Sequence, residues 1–324
     1  MKEHTRCYYC GTDGFIFTDY TATDTGAQAR ITIEKKHEGW PGIPHGGMGM
    51  TALIELTDLI DGTMDRYPLD TRFRFGGERL ALGDTVDIGI EKREDAFHGA
   101  IRTPGGVLPY LSATIKNAVN PAHEERVRKL SERLAENALS HNSFLMPDFS
   151  DRLIFRQTFQ DLHRYRLYEF RDQPDGSVIM ICFFSDRAGG LPANELNTIT
   201  DDHVHPGPLI TLLDETLGWA GFLAVWQGGV TVTLDAYFMR PLRPDEIIFA
   251  VGICDSQQGS FTRKMVTCSG GIFSRTGDSI EPVAYATGKW LTKPEFKEKM
   301  LTYLLHDDNY LSAAAIYNKS ARER

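Results

Sequence analysis

The chain has little of what the most easily recognised sequence classes require. Five cysteines in 324 residues are an odd number and too few for a disulfide framework, and they read as thiols of a reducing compartment. The one CxxC pair, Cys7 and Cys10, has no second pair to complete the four ligands of a structural zinc. Cys182, Cys254 and Cys268 lie in apolar, strand-like surroundings and are expected in the core. Positive charge is not in excess: 35 Lys and Arg against 44 Asp and Glu give a net charge of -9, which argues against a nucleic-acid partner. The opening MKEHTRCYYCG lacks the apolar centre of a signal peptide. Apolar runs fall short of the roughly 20 residues that span a bilayer. The expectation is a cytoplasmic protein with neither membrane nor nucleic acid as partner.

Catalytic signatures are equally sparse. There is no GxxxxGK[ST] phosphate loop, and GGERLALG is not followed by the strand, turn and helix of a dinucleotide site. No GxSxG elbow offers a serine nucleophile. The DDH of 201–203 and His205 lack a further well-spaced ligand, so neither a metal nor an organic cofactor is expected.

Hydrophobic residues at 41% and charged residues at 24% suit a globular chain able to bury a full core, and the length suggests about two domains. HEGWPGIPHGGMGM, His37 to Met50, packs five glycines and two prolines directly against the apolar run TALIELTDLIDG. It has a counterpart downstream in VHPGPLITLLDETLGWAG. Aligning His45 with His205 pairs Gly47 with Gly207, Thr51 with Thr211, Leu53 with Leu213 and Glu55 with Glu215. Each run opens with breakers and continues at helical spacing. Strand-like stretches ending in basic turns follow both: 71–90 matches 233–253, with Arg79 on Arg240 and Asp84 on Asp245. SATIKN (112–117) then matches YATGKW (285–290).

The order is the same twice: an opening strand, a breaker loop, one long helix, then three or four antiparallel strands. One such unit cannot cover its own sheet, whereas two side by side make one continuous sheet around two central helices. The expected class is therefore α+β, divided into a first repeat at 1–117, a linker at 118–150, a second repeat at 151–293 and a helical tail at 294–324. Within the linker, Pro121 to Leu139 reads as an exposed amphipathic helix.

HEGWPGIPHGG before an apolar helix, RPLRPDE after a strand and the opening CYYCG resemble the PaaI-type hot-dog thioesterase family, over most of 7–117 and about 155–292. The resemblance implies a fused double hot-dog acting on acyl-CoA or another acyl thioester, with coenzyme A present only as part of the substrate. It also implies that the first glycine after the histidine supplies an N–H to the oxyanion, and that an acidic residue about nine positions on is base or nucleophile. The first positions are Gly46 and Pro206; the second are Ile54 and Asp214. Each repeat is thus defective in a different place, since Pro206 has no N–H and Ile54 no carboxylate.

Helix geometry suggests how the two repeats complement each other. Eight residues of helix span about 12 Å at about 1.5 Å each, so a carboxylate there cannot reach the start of its own helix, yet it can reach that of an antiparallel partner. The expectation is one composite site, with Asp214 as base or nucleophile facing the Gly46 and Gly47 amides, and a dead mirror at Pro206 and Ile54. Supporting candidates are His45, which either braces the loop or bonds the substrate carbonyl, Thr231 as a water-positioning residue, and Glu215 as an alternative base. Arg79, Arg240 and Arg243 are candidate contacts for coenzyme A phosphates. Phe15, Trp219, Phe222 and Trp226 are candidates to line the acyl tunnel. Two other functions remain open: a hydratase or dehydratase drawing on His203 or His205 with Asp201 or Asp202, and a silent acyl-CoA-binding protein. A homodimer is plausible.

Overall fold

The computed structural model describes residues 17–299 apart from 62–65, 136–139, 147–165, 173–177, 184–189, 194–195, 197–201, 261 and 278. Cys7, Cys10, Phe15 and the tail beyond 299 lie outside the described residues. In the first half the strands are β1 (Thr18–Thr23), β2 (Gly26–Thr32), the short pair β3 (Glu38–Trp40) and β4 (Ile43–Pro44), then β5 (Leu69–Phe75), β6 (Thr85–Arg93), β7 (Ala96–Arg102) and β8 (Leu111–Lys116). Helix α1 (Gly46–Asp61) sits between β4 and β5, and α2 (Pro121–Ala135) follows β8. The second half holds β9 (Ser140–Met146), β10 (Arg166–Asp172), β11 (Val178–Phe183), β12 (Leu191–Pro192), α3 (Pro206–Val225), β13 (Gly229–Phe238), β14 (Ile247–Gly259), β15 (Lys264–Thr276), β16 (Ser279–Thr292) and the short α4 (Glu295–Lys299).

Fourteen strands form one sheet in the order β1-β2-β6-β7-β8-β5-β13-β16-β15-β14-β11-β10-β9, with β12 also on β14. Outward from the β5–β13 seam, each half repeats one connectivity, β8-β7-β6-β2-β1 on one side and β16-β15-β14-β11-β10 on the other. The seam is antiparallel, Leu69 opposite Phe238 and Arg74 opposite Thr233, and the Arg74–Asp235 ion pair crosses it. Period-two patterning produces these strands: in β2, Ala27, Ala29 and Ile31 are buried and their neighbours exposed. The wider spacing of motifs in the second half has a plain cause. Strands β14, β15 and β16 are 13, 13 and 14 residues long, against 9, 7 and 6 for β6, β7 and β8.

The two long helices lie inside the curve of the sheet, as the double hot-dog expectation requires. A Cβ on Gly47 would come within 2.5 Å of Thr211 Oγ1, and one on Gly207 within 2.2 Å of Thr51 Cγ2. Residue 47 meeting 211 while 51 meets 207 makes the helices antiparallel. Glycine is required at both positions because a threonine of the facing helix occupies the space a Cβ would take. Helix α3 is buried from Pro206 to Leu223, and a helix apolar all round is one enclosed on every side.

Two expectations are corrected. The 20-residue α3, with an 18-residue window of mean hydropathy 1.2, is after all long and apolar enough to cross a membrane, but 89% of that window is buried inside the protein, so its apolarity is that of a core helix. Helix α2 is described over Pro121–Ala135, 136–139 lying outside the described residues, and it is not exposed on all sides, while 140–146 forms edge strand β9. Val127, Leu130 and Leu134 are buried in a second core with Ile179, Ile181, Phe249 and Phe273 on the outer face of the sheet. Three such side chains, at about 1.5–3 kcal/mol each when fully buried, dock the helix, while Arg128 keeps its pairs with Glu125 and Glu132 in water. Of the core cysteines, Cys268 is buried and Cys254 half-buried; the side chain of Cys182 lies outside the described residues.

Candidate active site

The breaker loops act as helix caps. His45 Nδ1 accepts the Gly47 N–H at 2.9 Å, and His205 Nδ1 accepts the Gly207 N–H at 2.8 Å. Each histidine thereby satisfies one of the orphan donors of a first helical turn. The antiparallel crossing then brings the start of α1 against the middle of α3. A Cβ on Gly46 would lie 2.9 Å from Asp214 Oδ2, 3.2 Å from Phe75 Cζ and 3.3 Å from Thr231 Oγ1. Only glycine leaves the carboxylate where it is. Thr231 comes from β13, where the register shifts between Thr231 and Thr233; such bulges re-aim a side chain. Its hydroxyl donates to Asp214 Oδ1 at 2.8 Å.

Asp214 is 4% exposed, and burial pushes its pKa up from 3.8 to about 7 against the opposing hydrogen bonds of Thr231, the Gly47 N–H and the Trp290 side chain. Desolvation disfavours the charged form, while donors to the carboxylate favour it. His45 Nδ1 lies 3.7 Å from Asp214 Oδ2, but that nitrogen already accepts the Gly47 N–H, so it carries no proton for the carboxylate. The contact is therefore not an ion pair, and Asp214 remains a proton acceptor. Among the predicted residues, Asp214, Gly46, His45, Thr231, Glu215 and Arg79 all line one cavity of about 810 Å³, together with Trp219 and Phe222.

Other predicted residues are placed differently. The Gly47 amide is engaged with His45 Nδ1 and Asp214, so it is not available as an oxyanion donor. Arg240 does not face the cavity: it bonds Glu246 Oε2 at 2.8 Å and Ser274 Oγ at 2.7 Å. Burial would raise the Glu246 pKa, but these bonds and the Arg243 N–H hold it at about 2. Arg243 turns to Asp245 at 3.2 Å. Neither arginine lines the cavity. Trp226 ends α3 in the left-handed conformation, φ 53°, away from the cavity lining. His205, offered with Asp201 or Asp202 as a hydratase pair, is engaged with a different acid. Its Nε2 lies 2.5 Å from Glu55 Oε2, both side chains buried, while Asp202 is exposed and Asp201 lies outside the described residues.

The cavity also contains residues that sequence reasoning missed: Phe75, Tyr110, Trp290, Arg263 and Lys293 are all in its lining. Trp40 closes one side, its indole donating to the Gly229 carbonyl at 2.7 Å and its ring 4.9 Å from that of Phe296. Trp290 ends the YATGKW match and Lys293 follows it closely, which was the one available signal for them. Tyr110 and Arg263 sit in the β7–β8 and β14–β15 turns, outside the matched motifs.

No protein-family model matches this chain, and no curated protein matches it in sequence. Solved structures resemble it in fold. A Novosphingobium aromaticivorans protein provisionally named a thioesterase superposes with a TM-score of 0.52 at 12% identity, over 86% of this chain and 100% of that one. The tesB protein of Mycobacterium avium subs paratuberculosis gives 0.50 at 14% identity, over 85% and 96%. The dehydratase domain of the CurJ module of Curacin polyketide synthase gives 0.50 at 10% identity, over 87% and 98%. At such identities the likeness establishes the double hot-dog fold and leaves the chemistry to the site.

Proposed function

We propose that this chain hydrolyses an acyl thioester, with acyl-CoA as the substrate form, at one composite site between its two repeats, and that it is a PaaI-type member of the hot-dog thioesterases. One observation carries the proposal: a buried carboxylate on α3 lies against the glycine-opened start of α1, inside a cavity large enough for an acyl group. Gly46 N–H, the first amide of α1, has no partner within its helix and carries the positive end of the helix dipole. It is placed to receive the thioester carbonyl oxygen as that oxygen becomes negative.

Asp214 acts as general base. A base whose pKa lies near the working pH combines a useful ionised fraction with a useful driving force, and burial sets Asp214 at about 7. Thr231 and Trp290 hold its carboxylate in place. Water attacks the carbonyl carbon as Asp214 takes a proton, and the oxyanion forms against Gly46. When the C–S bond breaks, the thiolate recovers that proton from Asp214, leaving a carboxylic acid and a free thiol. His45 fixes the loop by capping Gly47. Arg79, Arg263 and Lys293 in the cavity lining supply cations suited to a phosphate-bearing carrier.

The test is turnover of an acyl-CoA panel by the wild type, Asp214→Asn and Gly46→Pro, following free thiol. Both variants are expected to lose activity. Full turnover by both removes the composite site, and coenzyme A binding without turnover by the wild type identifies a silent binding protein. A dehydratase or hydratase is favoured by one fact, the approach of His45 to Asp214. Hydration of an enoyl-CoA by the wild type, lost in His45→Ala, with no thiol released, would establish that reading instead.

A further inference from the structure

A tetrahedral oxyanion is ordinarily held by two donors, and the cavity must supply one besides Gly46. The Gly47 N–H is taken by His45 Nδ1. The Thr231 hydroxyl donates to Asp214 Oδ1, the Trp290 side chain bonds Asp214 as well, and the Trp40 indole is spent on Gly229. Tyr110 is different. It lines the same cavity, and its backbone is fixed on both sides: its N–H donates to the Ile101 carbonyl at 2.8 Å and its carbonyl accepts the Gly76 N–H at 2.7 Å. Its ring stands edge-on to Phe75 at 5.6 Å and 82°, and Phe75 Cζ is 3.2 Å from where a Gly46 Cβ would be. Tyr110 is thus one ring removed from Gly46. Its hydroxyl makes no hydrogen bond to another described residue.

We propose that the Tyr110 hydroxyl is the second oxyanion donor, binding the carbonyl oxygen of the thioester together with the Gly46 N–H. The inference rests on the hydrolytic reading above. As water's oxygen bonds to the carbonyl carbon and Asp214 takes the proton, the C=O π pair moves onto the oxygen held by Gly46 and Tyr110. The pair returns as the C–S bond breaks, and Tyr110 keeps its own proton throughout. Burial and the nearby Asp214 charge hold its pKa well above the ordinary tyrosine value, so it remains a donor at every working pH.

Tyr110→Phe keeps the ring and removes one oxygen. It is expected to lower kcat by about 10²-fold or more, the usual scale for one oxyanion donor, with KM changed less than about threefold. A trifluoromethyl ketone analogue of acyl-CoA, which presents a tetrahedral oxygen, should bind the variant more weakly by a similar factor, while free coenzyme A binds both proteins equally. Wild-type kcat and wild-type analogue affinity in Tyr110→Phe overturn the inference and leave the ring a packing role. Where the wild type itself hydrolyses no thioester, the hydrolytic reading falls separately. The analogue then still decides on Tyr110: weaker binding by the variant supports the donor, equal binding removes it.

Discussion

The two ends of the helix pair are built alike and differ in kind. At one end His45 caps α1, Gly46 adjoins the Asp214 carboxylate, and a cavity opens beside them. At the other His205 caps α3 in the same way, but the matching positions are Pro206 and Ile54, both buried. The cavity lining includes neither of them. There the acidic side chain is Glu55, one residue further along α1, and it is held by His205. On the proposed function, the same frame serves chemistry at one end and cohesion at the other. What separates them is one carboxylate with a raised pKa facing an open space, against one carboxylate closed onto a histidine.

The comparison can be broken in several ways, the largest effect first. Asp214→Asn should lower kcat about 10³-fold, within the range of a lost general base; a loss under tenfold would move the chemistry elsewhere. Its pH signature is equally specific. Asp214 titrates at about 7 in the folded chain and near 3.9 unfolded. Between those values the folded state holds the extra proton, so stability falls as pH rises from about 4 and the loss, about 4 kcal/mol in full, is complete above 7. Melting curves should thus show Asp214→Asn matching the wild type near pH 4 and exceeding it at pH 8. Activity should rise with pH through about 7, because the ionised form is the base.

Glu55→Ala should act on the other end. Removing one member of a buried pair costs about 3 kcal/mol, read by urea unfolding, while kcat per folded molecule stays within about twofold. A catalytic collapse there would mean that the second end is not merely structural. Gly46→Ala is expected to lower kcat about 10²-fold, because its Cβ would sit 2.9 Å from Asp214 Oδ2 and displacing a catalytic group by an ångström has that scale. Smallest of all, Pro206→Gly restores an N–H to the mirror and should change activity less than about twofold, as no carboxylate waits opposite it.

Much of this difference was legible in the sequence because it rests on spacing. The resemblance marked where an N–H and a carboxylate are needed, and the breakers before each helix with the helical rise then paired Gly46 with Asp214 across the repeats. What could not be read depended on where side chains turn after folding. Arg240 and Arg243 look like anion-binding residues by composition, yet Glu246 and Asp245 take them. Gly47 looks like an oxyanion donor until the His45 ring is found on its amide. Phe75 and Tyr110 reach the site through strand pairing between β5 and β8, contacts that no local pattern announces. Helix α2 reads as solvated because charges surround its three apolar residues, and only the outer face of the second-half sheet shows what they cover.

The central claim, one site per chain at one end only, is tested most directly by a crystal structure with a non-hydrolysable thioether analogue of acyl-CoA. The account expects a single ligand per chain, its reacting end within about 3 Å of the Gly46 N–H, beside Asp214 and Tyr110. A ligand whose reacting end lies at Pro206 and Ile54, or ligands at both ends, would contradict it.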